Sequence, residues 1–158
     1  CGKLLFADDL KLYSSVDTVD DFMFLQTQLD TIFSWCTENK LDLNIAKCKV
    51  MSFTRKHNLN IYNYSLNGMA LSRCYSARDL GILFDASLSF REHIDQVFKD
   101  AYRMLGFVVR NTSSFTSGRA LLTLYTSLIR SKLEYGAIIW SPIYKVHTLA
   151  LEESLSSI

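Results

Sequence analysis

The stretch that decides how this chain is read is its first: Cys1-Gly2-Lys3-Leu4-Leu5-Phe6-Ala7-Asp8-Asp9-Leu10-Lys11-Leu12-Tyr13-Ser14-Ser15. Asp8 and Asp9 stand between two apolar runs, Leu4–Ala7 and Leu10–Tyr13, each of which reads as a short β-strand. The pattern predicts a hairpin with both carboxylates at its tip. A two-residue hairpin turn favours Asn-Gly or Asp-Gly, because its backbone needs positive φ. Asp-Asp lacks the freedom of glycine and sets two like charges side by side, and local rules broken at a turn mark functional positions. The chemistry that uses paired carboxylates is two-metal phosphoryl transfer, in which Mg²⁺ takes hard oxygen ligands. The competing reading is an ordinary exposed acidic turn.

The bulk properties bound the rest. Of 158 residues, 49% are hydrophobic and 21% charged, a globular composition with room for one domain or two small lobes. No apolar run approaches the ~20 residues that cross a bilayer, and no signal-peptide pattern opens the chain. Cys1, Cys36, Cys48 and Cys74 form no CxxC pair and have no histidine at metal-ligand spacing, so they read as reduced thiols of an intracellular protein. The strand pattern begins without lead-in at a cysteine, which gives the expectation of a piece cut from a longer chain.

Net charge is only +1, but it is unevenly placed. Residues 1–30 carry two Lys and six Asp, whereas residues 31–60 carry five Lys or Arg against two acids. An acidic tip beside basic surroundings suits a metal site that meets a polyanion; ordinary solvated surface is the alternative.

Further along, Thr18 and Asp21 form a capping box ahead of a helix whose buried face is Phe22, Leu25, Leu29, Ile32, Phe33 and Cys36, with Asn39 as its stop. Alternation at Leu41, Leu43 and Ile45, and again at Met51 and Phe53, predicts two short strands about a turn. Asn67-Gly68 predicts a tight hairpin. Another strand is expected over Asp79–Phe84. At Ser89 the pattern becomes helical. A capping box at Ser89 and Glu92 precedes a stripe of Phe90, Ile94, Val97, Phe98, Ala101, Leu105 and Val108. A second helix runs through Leu121, Leu124, Tyr125, Leu128 and Leu133 to a stop at Gly136, and Pro142 precedes a last short helix. The fold expected is α+β, with a β-rich lobe over residues 1–88 and a helical lobe over 89–158.

Four stretches in this order carry a resemblance: Phe6-Ala7-Asp8-Asp9-Leu10-Lys11-Leu12-Tyr13, the block from Trp35 to Phe53 that contains Asn44-Ile45-Ala46-Lys47, Leu80-Gly81-Ile82-Leu83-Phe84-Asp85 with the residues to Ile94, and Leu128 to Pro142. Together they resemble the reverse transcriptase of non-LTR (LINE-like, jockey-type) retrotransposons. The resemblance implies half of a polymerase palm, with antiparallel strands and a packed helix, followed by an all-helical thumb. It implies that Asp8 and Asp9 bind catalytic Mg²⁺ (or Mn²⁺) and that Lys47 protonates the pyrophosphate leaving group. It makes Leu80, Gly81 and Ile82 part of the primer grip. Lysine chemistry allows an acid role, and Arg91, Lys99, Arg103, Arg110 and Arg119 are placed to meet backbone phosphates. Taken alone, each of these cations is more often solvated surface. Tyr62, Tyr64 and Tyr75 are expected to pack rather than stack on bases, Trp140 to pack in the thumb, and His57 and His93 take no role.

The implied partners are an RNA template, a DNA primer, deoxynucleoside triphosphates and the upstream part of the polymerase chain, in the nucleus or cytoplasm and without a membrane. The palm of that family carries a further metal-binding aspartate upstream of the hairpin, and its fingers lie upstream again. The expectation is therefore a partial RNA-directed DNA polymerase that is inactive alone. The alternatives are a catalytically dead remnant that binds nucleic acid through its thumb, and a piece without a stable fold or present function.

Overall fold

A computed structural model describes residues 1–54 and 61–140. The predicted Pro142 helix and His57 lie outside the described residues. The chain forms two compact units, Cys1–Tyr75 and Ser76–Ile158. Its described part is mixed helix and small β-ladders, compatible with α+β.

In the first unit, β1 (Gly2–Phe6) and β2 (Asp9–Tyr13) pair antiparallel with Phe6 opposite Asp9. Helix α1 (Val19–Glu38) starts at the expected capping box. The Thr18 hydroxyl accepts the Asp21 N–H at 3.3 Å, and the Asp21 carboxylate accepts the Thr18 N–H at 2.8 Å. Its helical stripe buries Phe22 and Cys36. Phe22 stacks on Tyr62 with ring centroids 5.6 Å apart, and Tyr62 meets Tyr64 edge-on at 5.0 Å. Tyr62 and Tyr64 are therefore packing residues, as expected, while Tyr75 is exposed.

The Asn67-Gly68 hairpin joins β4 (Ser65–Leu66) to β5 (Met69–Ala70), with φ of 49° and 72° at the two turn residues. Both values are positive, as a type I′ turn requires. Gln26 of α1 docks on β4 with both ends of its amide: Nε2 donates to the Ser65 carbonyl at 2.9 Å, and Oε1 accepts the Ser65 N–H at 3.0 Å. A side chain thereby supplies what a neighbouring strand would.

The strand expected over Leu41–Ile45 does not form. Asn44 caps a single 3₁₀ turn, Ile45–Lys47, by accepting the Lys47 N–H, and local side-chain capping wins over apolar alternation. Only β3 (Lys49–Val50) is extended, and it pairs parallel with β6 (Ser72–Arg73) rather than antiparallel.

The second unit opens with a hairpin where one strand was expected. β7 (Ser76–Asp79) and β8 (Ile82–Asp85) pair antiparallel about Leu80-Gly81, whose φ values are 45° and 85°. Helix α2 (Arg91–Asn111) follows. A helical run then continues through α3 (Gly118–Leu124), a π-helical segment (Tyr125–Arg130) and α4 (Ser131–Glu134). Gly136, at φ 63°, turns the chain into α5 (Ala137–Trp140).

Ile82, Ile94 and Trp140 form one buried cluster, and Ala101, Val108, Ile129 and Leu133 form another. The first joins β8 to α2 and α5. Residues 76–85 thus fold with the helices, and the structural boundary falls before Ser76 instead of at residue 88. The second unit is consequently not all-helical.

The start of α2 also departs from expectation. Ser89 is not its cap; the residue before the helix is Phe90, left-handed at φ 55° and without a side-chain cap. Asp85 serves instead. Its carboxylate accepts the backbone N–H groups of Ser87 (2.9 Å), Ser89 (3.1 Å) and Phe90 (2.7 Å). These bonds hold a loop in which Leu88 and Phe90 both carry positive φ.

Candidate functional site

The expected site residues fall in both units, and each unit is described by itself. In the first, the Phe6↔Asp9 pairing makes Ala7-Asp8 the two-residue turn, not Asp8-Asp9. Ala7 supplies the positive φ, 52°, that the turn demands. Asp8 therefore sits on the tip, while Asp9 begins β2 beside Phe6 and on the same face as Leu4 and Lys11. Both aspartates are solvent-exposed.

Two adjacent carboxylates, one on the turn and one at the start of β2, match the oxygen chemistry of Mg²⁺. Among the described residues, no group of three or more His, Cys, Asp or Glu gathers to hold a metal. Asp8 and Asp9 thus fit Mg²⁺ in donor type but contribute only part of a ligand set. The ribbon that carries them leaves Leu5 73%, Phe6 60% and Leu4 56% exposed, so apolar side chains stand open on both its faces.

Lys47 ends the 3₁₀ turn and is exposed. Its one backbone N–H donates to both oxygens of Asn44, the side-chain oxygen at 3.3 Å and the carbonyl at 3.0 Å. Among the described residues its ammonium, on a flexible four-carbon stem, has no partner.

In the second unit, Leu80 and Gly81 form an exposed hairpin tip, whereas Ile82 is a core residue at 3% exposure. The Tyr135 hydroxyl donates to the Leu80 carbonyl at 2.8 Å, and the Arg78 guanidinium donates to the Gly81 carbonyl at 3.2 Å. The tip is tied down from both sides. Arg91, Lys99, Arg103, Arg110 and Arg119 are all exposed. The first four lie within about 120° of the α2 circumference at 3.6 residues per turn, on the side away from Ile94, Ala101 and Val108. Glu92 and Asp95 share that side near the N-terminus, so the cationic part runs from Lys99 onward. Arg103 is held by Asp100 at 2.8 Å.

In this order of elements, an acidic hairpin tip is followed by a capped lysine turn, a pinned hairpin and a helix with a cationic outer side. Known proteins are similar to this chain in sequence. The chain is 32% identical over 90 residues to the RNA-directed DNA polymerase from mobile element jockey of Drosophila funebris, a match covering 56% of this chain and 10% of that protein. It is 25% identical over 126 residues to the corresponding Drosophila melanogaster protein (78% and 14%). It is 29% identical over 140 residues to the probable RNA-directed DNA polymerase from transposon BS of Drosophila melanogaster (85% and 15%).

The chain is similar to reverse transcriptases of non-LTR transposons. It spans between 10% and 15% of the length of these relatives. No protein-family profile matches it, and no solved structure matches it. No helix among the described residues is long and apolar enough to cross a membrane.

Sequence reasoning gave no role to two groups that organise the second unit. His93 is 3% exposed on the apolar side of α2. Its Nδ1 accepts the Leu83 N–H at 3.3 Å, and its ring meets Trp140 edge-on at 5.4 Å. Burial, and then the Arg78 charge, hold its pKa below the ordinary histidine value. A histidine on the buried stripe of an amphipathic helix was the available signal. Asp85 is the other. Burial raises its pKa, but hydrogen bonds from the Ser87 hydroxyl and the amides of Ser89, Phe90 and Ser87 outweigh this and bring it to about 2. Its partners lie two to five residues ahead, beyond the reach of a capping-box pattern.

Proposed function

We propose that this chain is part of the catalytic core of an RNA-directed DNA polymerase of a non-LTR retrotransposon. It carries the C-terminal part of the palm and the thumb. In this reading Asp8 and Asp9 supply carboxylates to the Mg²⁺ ions that activate the primer 3′ hydroxyl and stabilise the leaving pyrophosphate. Lys47 donates a proton to that pyrophosphate. Leu80 and Gly81 meet the primer, with Ile82 anchoring their hairpin in the core. The outer side of α2 and Arg119 meet phosphates of the RNA template and DNA primer.

The observation that carries the reading is the Ala7-Asp8 turn: an exposed acidic tip inside a chain similar to polymerases over most of its length. The open apolar faces of β1 and β2 support it too. A two-stranded ribbon is marginal by itself, and side chains such as Leu4, Leu5 and Phe6 need further strands to cover them. In this reading the rest of the polymerase provides that cover, together with the remaining metal ligands and the nucleotide-binding region. The chain alone is then inactive.

The test is primer extension on an RNA template with Mg²⁺ and deoxynucleoside triphosphates. It uses both this chain and the longest open reading frame that contains it. The reading expects synthesis only from the longer protein, abolished by Asp8→Asn with the fold intact. Synthesis that persists in Asp8→Asn overturns the catalytic assignment.

A further inference from the structure

The Leu80-Gly81 tip is steadied by a side chain from a distant part of the sequence. The Tyr135 hydroxyl donates to the Leu80 carbonyl at 2.8 Å, across 55 residues. The Tyr135 ring also lies against Gly81: a Cβ at that position would stand 3.2 Å from the ring. Leu80 needs such support. Its φ of 45° is left-handed, a conformation that bulky side chains avoid.

Tyr135 is itself firmly mounted. It closes α4, where its N–H donates to the Ser131 carbonyl at 3.1 Å. Its own carbonyl accepts the indole N–H of Trp140 at 2.8 Å, and Trp140 is buried. The next residue, Gly136, lies so close to Ile82 that no Cβ would fit between them. The backbone at Tyr135 is thus fixed to the buried cluster of Ile82, Ile94 and Trp140, and its side chain reaches out from there to the tip.

The bond at the end of that reach is solvent-exposed, so water can replace it at small cost in stability. Water does not fix a direction. The Leu80 carbonyl is tied to Tyr135, and the Gly81 carbonyl to Arg78 at 3.2 Å. Both turn carbonyls are committed, and the tip presents the half-exposed Leu80 side chain in one orientation.

We infer that Tyr135 is a positioning residue for the primer. It acts through the Leu80-Gly81 tip, whose orientation sets where the primer end lies, and small displacements of a reacting hydroxyl slow its reaction. The inference rests on the reading of that tip as a primer contact.

The experiment is single-turnover primer extension on an RNA template by the longest open reading frame that contains this chain. The enzyme is in excess over the primer–template, and all substrates are saturating. The rate of the first addition then reports the bound complex, whatever fraction of the enzyme folds. Tyr135→Phe keeps the ring on Gly81 and removes the donor. It should slow the first addition about tenfold, within the ~100-fold that a misplacement of about 1 Å costs.

Leu80→Asn supplies the second measurement. It creates Asn-Gly, a turn that takes both positive φ values by itself. In that background Tyr135→Phe should slow addition by less than about threefold, measured against Leu80→Asn alone. Ile129→Val is the control for instability. It thins the other core cluster and should leave the saturating rate unchanged.

A wild-type rate in Tyr135→Phe overturns the inference. So does an equal slowing in Ile129→Val, or a tenfold loss that persists undiminished beside Leu80→Asn. These results leave the polymerase reading standing, because Asp8→Asn tests it in the same assay. No synthesis from the unaltered protein, or synthesis that persists in Asp8→Asn, overturns that reading and this inference with it.

Discussion

The Nδ1 atom of His93 on α2 accepts the backbone N–H of Leu83 on β8 at 3.3 Å, tying a helix to a hairpin ten residues away in sequence. The bond needs an unprotonated Nδ1. Burial and the neighbouring Arg78 charge already oppose protonation, so the folded pKa lies below the ordinary value. The unfolded chain therefore binds a proton that the folded chain refuses. The histidine contribution is fully present above about pH 6.5 and is lost as the pH falls below it toward the folded value. Urea unfolding from pH 8 to pH 5 should show stability falling with acidity, with part of that slope absent in His93→Asn. Equal slopes in the two proteins would show that His93 is not the group responsible. His93→Leu should cost about 1–3 kcal/mol at pH 8, because the Leu83 N–H then loses its acceptor.

Asp85 replaces the expected Ser89 cap, and the consequence is measurable. Its pKa of about 2 reflects hydrogen bonds from Ser87, Ser89 and Phe90 that outweigh its burial. The stability it supplies is present above the unfolded carboxylate value of 3.8 and is lost as the pH falls from there to about 2. Asp85→Asn should lower stability at neutral pH by about 1–2 kcal/mol, read as a shift of the thermal midpoint. The strained Leu88 and Phe90 lose the group that holds them, so amide exchange should quicken in the first turn of α2. Unchanged exchange there would show that packing alone sets the loop.

These two groups also show what the sequence made legible. Where the deciding contact is local and its residues are specialised, reading succeeds. Thr18 and Asp21 close a capping box over three residues, and Asn67-Gly68 can hardly be anything but a type I′ turn. Reading fails where an unsuited residue is forced into a conformation from elsewhere. Nothing about Leu80 announces φ of 45°; the Tyr135 hydroxyl from 55 residues away helps to hold it. The same holds for the acidic tip. The two aspartates drew attention to the right hairpin, but Ala7, not Asp9, takes the left-handed position. The carboxylates are thus one turn residue and one strand residue. The alternation at Leu41–Ile45 misled because Asn44 turns its side chain back on Lys47.

Ala7 offers a direct test of that turn. An alanine at φ 52° carries a left-handed penalty of about 1–2 kcal/mol that glycine avoids. Glycine loses part of this gain through the greater freedom of its unfolded state. Ala7→Gly should therefore stabilise the hairpin by up to about 1 kcal/mol, seen as slower amide exchange in β1 and β2. Had Asp8-Asp9 been the turn, Ala7 would be an ordinary strand residue, and glycine there would weaken the ribbon. The sign of the change decides between the two registers.

The cationic side of α2 makes the last prediction. Lys99 and Arg110 are exposed on the side away from the core, while Arg103 shares that side but is held by Asp100. Lys99→Gln with Arg110→Gln leaves the Arg103–Asp100 pair intact. Removal of exposed charges away from special contacts changes stability by within about 0.5 kcal/mol each, so altered binding in this variant cannot be laid to unfolding. If both residues meet phosphates, the slope of log affinity for an RNA–DNA duplex against log salt should fall by about 0.9 for each phosphate no longer neutralised. Weaker duplex binding with an unchanged salt slope would mean that these cations act other than by meeting phosphate. An unchanged affinity would place the duplex elsewhere on the chain.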